Sequence, residues 1–166
     1  MGSLTNTIAI IGAGSVGAAI AFTLVSHHTI RDIVLIDVNR ARCRAQVQDL
    51  SDGAFLSGIR VREGSFQEAG QCDVIIITAG AKQCSGESMA DLAARNIEIL
   101  KSVLRDISPL REDAILLIVT DPVDILTLCA QTLSGLPRAQ VIGSGTSLDT
   151  ARLRILLAGE AQASFT

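Results

Sequence analysis

The sequence has no tryptophan and no tyrosine, and its only aromatic residues are four phenylalanines. Single-stranded nucleic acid is held by stacking bases on aromatic side chains, so that mode of binding has little to rest on. Positive charge is also scarce, with 14 Lys and Arg against 17 Asp and Glu and a formal net charge of −3. No basic stripe is there to neutralise phosphates, which argues against a nucleic-acid partner. The four cysteines, Cys43, Cys72, Cys84 and Cys129, form no CxxC pair and fit no zinc spacing, so no metal is expected. They read as free thiols in a reducing, cytoplasmic compartment. Residues 1–7 carry no Lys or Arg, unlike a signal peptide, and Asn6 stands where a myristoylation signal needs Ser or Thr.

What is present is apolar bulk: 48% of 166 residues are hydrophobic and 19% charged, which excludes a disordered chain. That length suits one domain, or one with a small extension, and supports a real core. Ile8 to Val25 runs eighteen residues without a charge, close to the length of a membrane span. Its apolar run stops at Gly12, however, and Gly14 and Gly17 follow. A strand, a tight turn and a buried helix account for this better than a spanning helix, so no membrane is expected.

Short β-branched runs alternate with longer helical stretches along the chain. Strands are expected at Thr7 to Ile11, Ile33 to Ile36, Ile59 to Arg62, Asp73 to Thr78, Ala114 to Val119 and Gln140 to Ile142. Helices are expected at Ser15 to His27, Arg40 to Asp52, Met89 to Ser108, Val123 to Ser134 and from Leu148 to Ala158. A polar loop spans Ala79 to about Ser88, and Ala161 to Thr166 reads as a tail. Such alternation is the pattern of an α/β fold with a doubly wound parallel sheet, here of six strands in the double βαβαβ arrangement that binds dinucleotides. Residues 1–146 would form that domain, with 147–166 beginning a helix that leads out of it.

Gly12-Ala13-Gly14-Ser15-Val16-Gly17 is a GxGxxG turn. Alone the pattern is weak, but here it follows a strand and opens a helix. Gly12 permits the tight turn, Gly14 the close approach of pyrophosphate, and Gly17 the packing of helix on strand. The helix N-terminus, with Ser15 and Val16, offers unpaired N–H groups to phosphates. Asp37 ends the second strand, twenty residues after Gly17. A carboxylate there accepts ribose hydroxyls and repels the extra phosphate of NADP, which favours NAD, though Arg40 nearby softens that preference.

The chain resembles the N-terminal half of the L-lactate and malate dehydrogenases, and the lactate branch more closely. The resemblance runs from Thr7 to about Glu160. It is carried by Ile10 to Gly17, by Leu35-Ile36-Asp37-Val38, and by Thr78-Ala79-Gly80-Ala81-Lys82-Gln83 with Gly86-Glu87-Ser88 and Arg95-Asn96. Thr120, Pro122 to Leu126, Val141 to Thr146 and Leu148 to Arg152 complete it. It implies a Rossmann NAD-binding domain and hydride transfer between NAD and a small 2-hydroxy or 2-oxo acid. It also implies a homo-oligomer and a separate substrate domain, which these 166 residues lack.

The resemblance places Thr78, Ala79, Gly80 and Thr120 against the cofactor and puts Gln83 at the loop position that selects substrate. Malate enzymes carry Arg there, so Gln83 points to a neutral substrate side chain such as that of pyruvate. Arg152 falls on the Arg that grips the substrate carboxylate, and Asp149 on the Asp that orients a catalytic His. Three departures follow. Met89 replaces the mobile-loop Arg and has no donor with which to polarise a carbonyl. Asp121 replaces an Asn that donates an N–H, whereas an ionised Asp only accepts; its negative charge would favour NAD⁺. The family's catalytic His lies in a Gly-Glu-His-Gly segment absent here, and His27 and His28 read as helix C-terminal residues. Two other outcomes therefore stand beside an L-lactate-type dehydrogenase: a catalytically silent NAD-binding module or degenerate paralogue, and a dehydrogenase for a bulkier apolar 2-oxo acid. Asp73, Lys82 and Cys84 read as turn or loop residues, and the apolar positions from Ile97 to Leu104 as core.

Overall fold

The computed structural model describes residues 7–27, 30–55 and 57–161. His28, the sequence signals before Thr7 and residues 162–166 of the expected tail lie outside them, while Ala161, the first residue of that tail, is helical. Six strands, β1 (Thr7–Ile11), β2 (Asp32–Ile36), β3 (Arg60–Glu63), β4 (Val74–Ile77), β5 (Ile115–Ile118) and β6 (Val141–Gly143), form one sheet. Its order is β3-β2-β1-β4-β5-β6 and every neighbouring pair is parallel. The order reverses between β1 and β4, the switch point of a doubly wound sheet.

Helices α1 (Ser15–His27), α2 (Arg40–Ala54), α3 (Phe66–Ala69), α4 (Met89–Ile107), α5 (Val123–Leu133) and α6 (Ser147–Ala161) alternate with the strands. Two apolar layers result, one on each face of the sheet. Ile8, Ile10, Ile33, Leu35 and Ile76 pack with residues of α1 and α2. Ala9, Ile11, Ile75, Ile77, Leu116 and Ile118 pack with residues of α4 and α5. Alternation along strands covered on both sides explains why β4 is an unbroken Val-Ile-Ile-Ile. Helix α4 starts sharply because Ser88 and Asp91 form a reciprocal capping box.

The boundaries of β1 and α1 fall where the sequence pattern puts them. The third strand lies one residue later than expected, and the four-residue α3 and a 3₁₀ turn at Arg138–Gln140 were not anticipated. Helix α1 is less buried than expected: only Gly17, Ala21 and Val25 are buried, and Phe22 is 61% exposed. One helical stripe meets the sheet and the rest faces out. Asp73 is more than a turn residue. Its carboxylate accepts the N–H of Thr7 at 2.8 Å and a guanidinium N–H of Arg111 at 2.6 Å, while its carbonyl accepts the N–H of Ile115 at 2.9 Å. The starts of β1, β4 and β5 are thereby stitched together. Among the described residues no helix is long and apolar enough to cross a membrane.

Candidate dinucleotide site

The carboxyl ends of β1, β2, β4 and β5 open into a cleft of about 790 Å³. Its first wall is the glycine turn. Gly12 has φ +112°, a conformation suited to glycine, and a Cβ there would lie 2.7 Å from the Ala79 nitrogen. A Cβ on Gly17 would lie 1.9 Å from the Gly12 carbonyl oxygen. These two glycines are therefore required by the protein itself. Gly14 differs: a Cβ there would meet nothing within 4 Å, yet the residue lines the cleft. Packing gives no reason for a glycine at 14, whereas a ligand approaching its backbone does. Ser15 and Val16 begin α1 and line the cleft beside it, so the helix N-terminus faces the open space.

Asp37 closes the second side. Its Oδ2 accepts the N–H of Ala13 at 2.8 Å and its Oδ1 accepts the N–H of Asn39 at 2.7 Å. The carboxylate thus ties the glycine turn to the end of β2, and each oxygen keeps lone-pair capacity for a ribose hydroxyl. Thr78 ties the same turn to β4, its hydroxyl donating to the Gly12 carbonyl at 2.8 Å.

The far wall is held by a side chain that the sequence did not single out for a role. Asn96 on α4 is 2% exposed. Its Oδ1 accepts the N–H of Ala81 at 2.7 Å, and its Nδ2 donates to the Asp121 carbonyl at 2.7 Å. The Thr120 hydroxyl donates to the Ala79 carbonyl at 2.9 Å. Gly80 fits between them, since a Cβ would lie 2.3 Å from Thr120 Cγ2. The signal that could have found Asn96 is a lone polar residue among the apolar positions of α4.

The loop after Ala81 folds back on α4. Arg95 donates to the carbonyl of Lys82 at 2.9 Å and pairs with Glu87 at 2.8 Å. Glu87 also accepts the Cys84 N–H at 2.8 Å, and the Gln83 side-chain amide donates to the Glu87 carbonyl at 2.9 Å. Gln83 lines the cleft with its amide nitrogen so engaged, and Met89 lines it 53% exposed at the start of α4.

Of the residues selected from sequence, Gly12, Gly14, Ser15, Val16, Gly17, Asp37, Thr78, Ala79, Gly80, Gln83, Met89, Thr120 and Asp121 line this one cleft. Asp149 and Arg152 do not. They pair with each other at 3.3 Å on the exposed surface of α6, a helix without a buried residue. His27 closes α1 at its far end. No group of three or more His, Cys, Asp and Glu among the described residues is placed to hold a metal ion.

Comparison with known proteins agrees with this geometry. A family described as lactate/malate dehydrogenase, NAD binding domain, matches residues 6–143. L-lactate dehydrogenase A of Rhizopus oryzae is 51% identical over 93% of this chain and 48% of its own length. L-lactate dehydrogenase of Acetivibrio thermocellus is 45% identical over 90% of this chain and again 48% of its own. A solved minor L-lactate dehydrogenase of Enterococcus mundtii superposes with a TM-score of 0.90 at 32% identity, covering 97% of this chain and 52% of that one. A lactate dehydrogenase from a deep-sea metagenome superposes at 0.89 with 33% identity, over the same shares. The chain spans about half the length of the relatives it matches.

Proposed function

The chain belongs to the lactate/malate dehydrogenase NAD-binding family, and from that premise we propose that it is the dinucleotide-holding half of an L-lactate-type, NAD-dependent 2-hydroxy-acid dehydrogenase. The observation that carries the reading is Gly14, a cleft-lining glycine with empty space where its Cβ would be, at the N-terminus of α1 and beside Asp37. NAD, when bound, supplies hydride acceptance or donation at its nicotinamide ring.

The chain's own residues do the holding. Backbone N–H groups at the start of α1 meet the pyrophosphate, and Asp37 accepts from the adenosine ribose while keeping the turn in shape. Ala79, Gly80 and Thr120 form the wall for the other half of the cofactor. Gln83 presents no charge to the substrate and so suits a neutral 2-oxo acid such as pyruvate. Arg152 gripping a substrate carboxylate, with Asp149 orienting a His from another segment, requires a further half of the protein packed over α6. Leu148, Leu153, Ile155, Leu156 and Leu157 on that helix are each more than half exposed, which supports such a cover. A homo-oligomer in the cytoplasm belongs to the same reading, and the free state of all four cysteines suits a reducing compartment.

A second reading, a silent NAD-binding module, is favoured by Met89. It sits on the cleft where a cation would be needed to stabilise charge developing on the substrate carbonyl. The purified chain should quench or enhance NADH fluorescence and show no NADH oxidation with pyruvate or oxaloacetate. Failure to bind NADH overturns the proposal. Turnover with pyruvate by these 166 residues overturns the need for a further half.

A further inference from the structure

We propose that the Asp121 carboxylate biases this chain toward the oxidised dinucleotide, NAD⁺, over NADH; the proposal rests on the NAD-binding reading above. The argument begins with topology. In a β3-β2-β1-β4-β5-β6 sheet, the glycine turn after β1 and the acid after β2 take the pyrophosphate and the adenosine side. The segments after β4 and β5, across the switch point, are left for the nicotinamide side. Asp121 follows β5 and lines the cleft there.

Its place is fixed from beneath. Asn96, buried in α4, holds the Asp121 carbonyl at 2.7 Å, and the neighbouring Thr120 hydroxyl holds Ala79 at 2.9 Å. The backbone is thus anchored while the carboxylate is left unspent. Among the described residues no hydrogen bond or ion pair engages that carboxylate; the hydrogen bond at Asp121 is to its main-chain carbonyl. Lys82 lines the same half of the cleft but forms no ion pair with Asp121. The other cation on the cleft, Arg42, belongs to the adenosine side, in the first turn of α2 that follows Asp37.

The two redox forms differ there by one unit of charge. The nicotinamide ring of NAD⁺ is a cation and that of NADH is neutral, while the pyrophosphate and both riboses are the same. A carboxylate carried on an anchored backbone at the nicotinamide side attracts the first ring and has little electrostatic hold on the second. Asp121 is exposed, so solvent screens the attraction, and a preference of about fivefold in affinity is the expected scale.

Calorimetric titration of the chain with NAD⁺, NADH and ADP-ribose, repeated on Asp121→Asn, tests this. ADP-ribose carries everything except the nicotinamide. In the variant the NAD⁺-over-NADH preference should fall about fivefold while ADP-ribose affinity stays unchanged. The wild-type preference should also shrink in high salt, since the phosphate contribution common to both forms cancels in the ratio. An unchanged ratio in a variant that still binds ADP-ribose overturns the proposal. Should the variant lose ADP-ribose as well, the wild-type salt series decides alone, and a salt-independent ratio overturns it. If the wild-type chain binds neither dinucleotide nor ADP-ribose, the NAD-binding reading fails and this inference goes with it.

Discussion

Asn96 reaches 2.7 Å to the carbonyl of Asp121, and the other end of the same amide reaches 2.7 Å to the N–H of Ala81, so one buried side chain joins two walls of the cleft that lie in different loops. Asn96→Ala leaves both backbone groups unpaired and should cost about 2–4 kcal/mol of stability in urea denaturation. Asn96→Asp keeps the acceptor for Ala81 but sets a carboxylate against a carbonyl, so it should cost no less. A loss below about 0.5 kcal/mol for both would refute the bridging role.

The glycines of the turn should separate by experiment. Gly14→Ala adds a Cβ with no protein atom within 4 Å. Stability should stay within about 0.5 kcal/mol of wild type while NADH affinity drops about tenfold or more. Gly17→Ala drives a Cβ toward the Gly12 carbonyl and should destabilise the fold by about 1–3 kcal/mol or more. Thermal melts and NADH fluorescence on both variants check the contrast.

Asp37 serves two masters, the turn and the ribose. Asp37→Ala releases the N–H groups of Ala13 and Asn39. It should weaken NADH binding about tenfold or more and lower stability by about 1 kcal/mol. Asp37→Asn retains one acceptor and should fall between. Because the turn loosens with the acid gone, neither substitution should yield tight NADPH binding, which a titration with NADPH checks.

Burial pushes the thiols of Cys43 and Cys72 up from 9.0 to about 11, with the charges of Glu63 and Glu68 adding to the effect. The folded state therefore holds these protons more tightly than the unfolded chain does. Their contribution is fully present below pH 9 and is lost as pH rises toward 11, so stability should decline across that window. In native protein at pH 8, iodoacetamide should label exposed Cys84 first and leave Cys43 and Cys72 unmodified by mass spectrometry.

The legible parts of the fold are those with local marks. The Gly12 turn ends β1 and starts α1, so both boundaries could be read directly. The edge strand β3 alternates Arg60, Val61 and Arg62, a polar pattern that fixes register poorly, and it starts one residue after the position its sequence suggests. Four residues are too few for α3 to show a helical period. In the site, the motifs at the carboxyl ends of the strands, from Gly12 to Asp121, meet in one cleft although they lie far apart in sequence. Asn96 belongs to the Arg95-Asn96 pair that carries the resemblance, but its work depends on partners 15 and 25 residues away, which spacing alone does not expose. Asp149 and Arg152 are marked by the resemblance alone, and their places on exposed α6 put them outside the cleft.

The stitch that Asp73 and Arg111 make at the strand starts lies at the opposite pole of the sheet from every cleft residue named above. Part of the sheet's cohesion is thus placed where no ligand has to be recognised. Exposed cleft side chains such as those of Met89 and Asp121 can then vary without loosening the scaffold, whereas Gly12, Gly17, Asp37 and Asn96 serve both the scaffold and the cleft. Side chains that only line the cleft can therefore be exchanged while the clasp at the far end of the sheet keeps the strands in register.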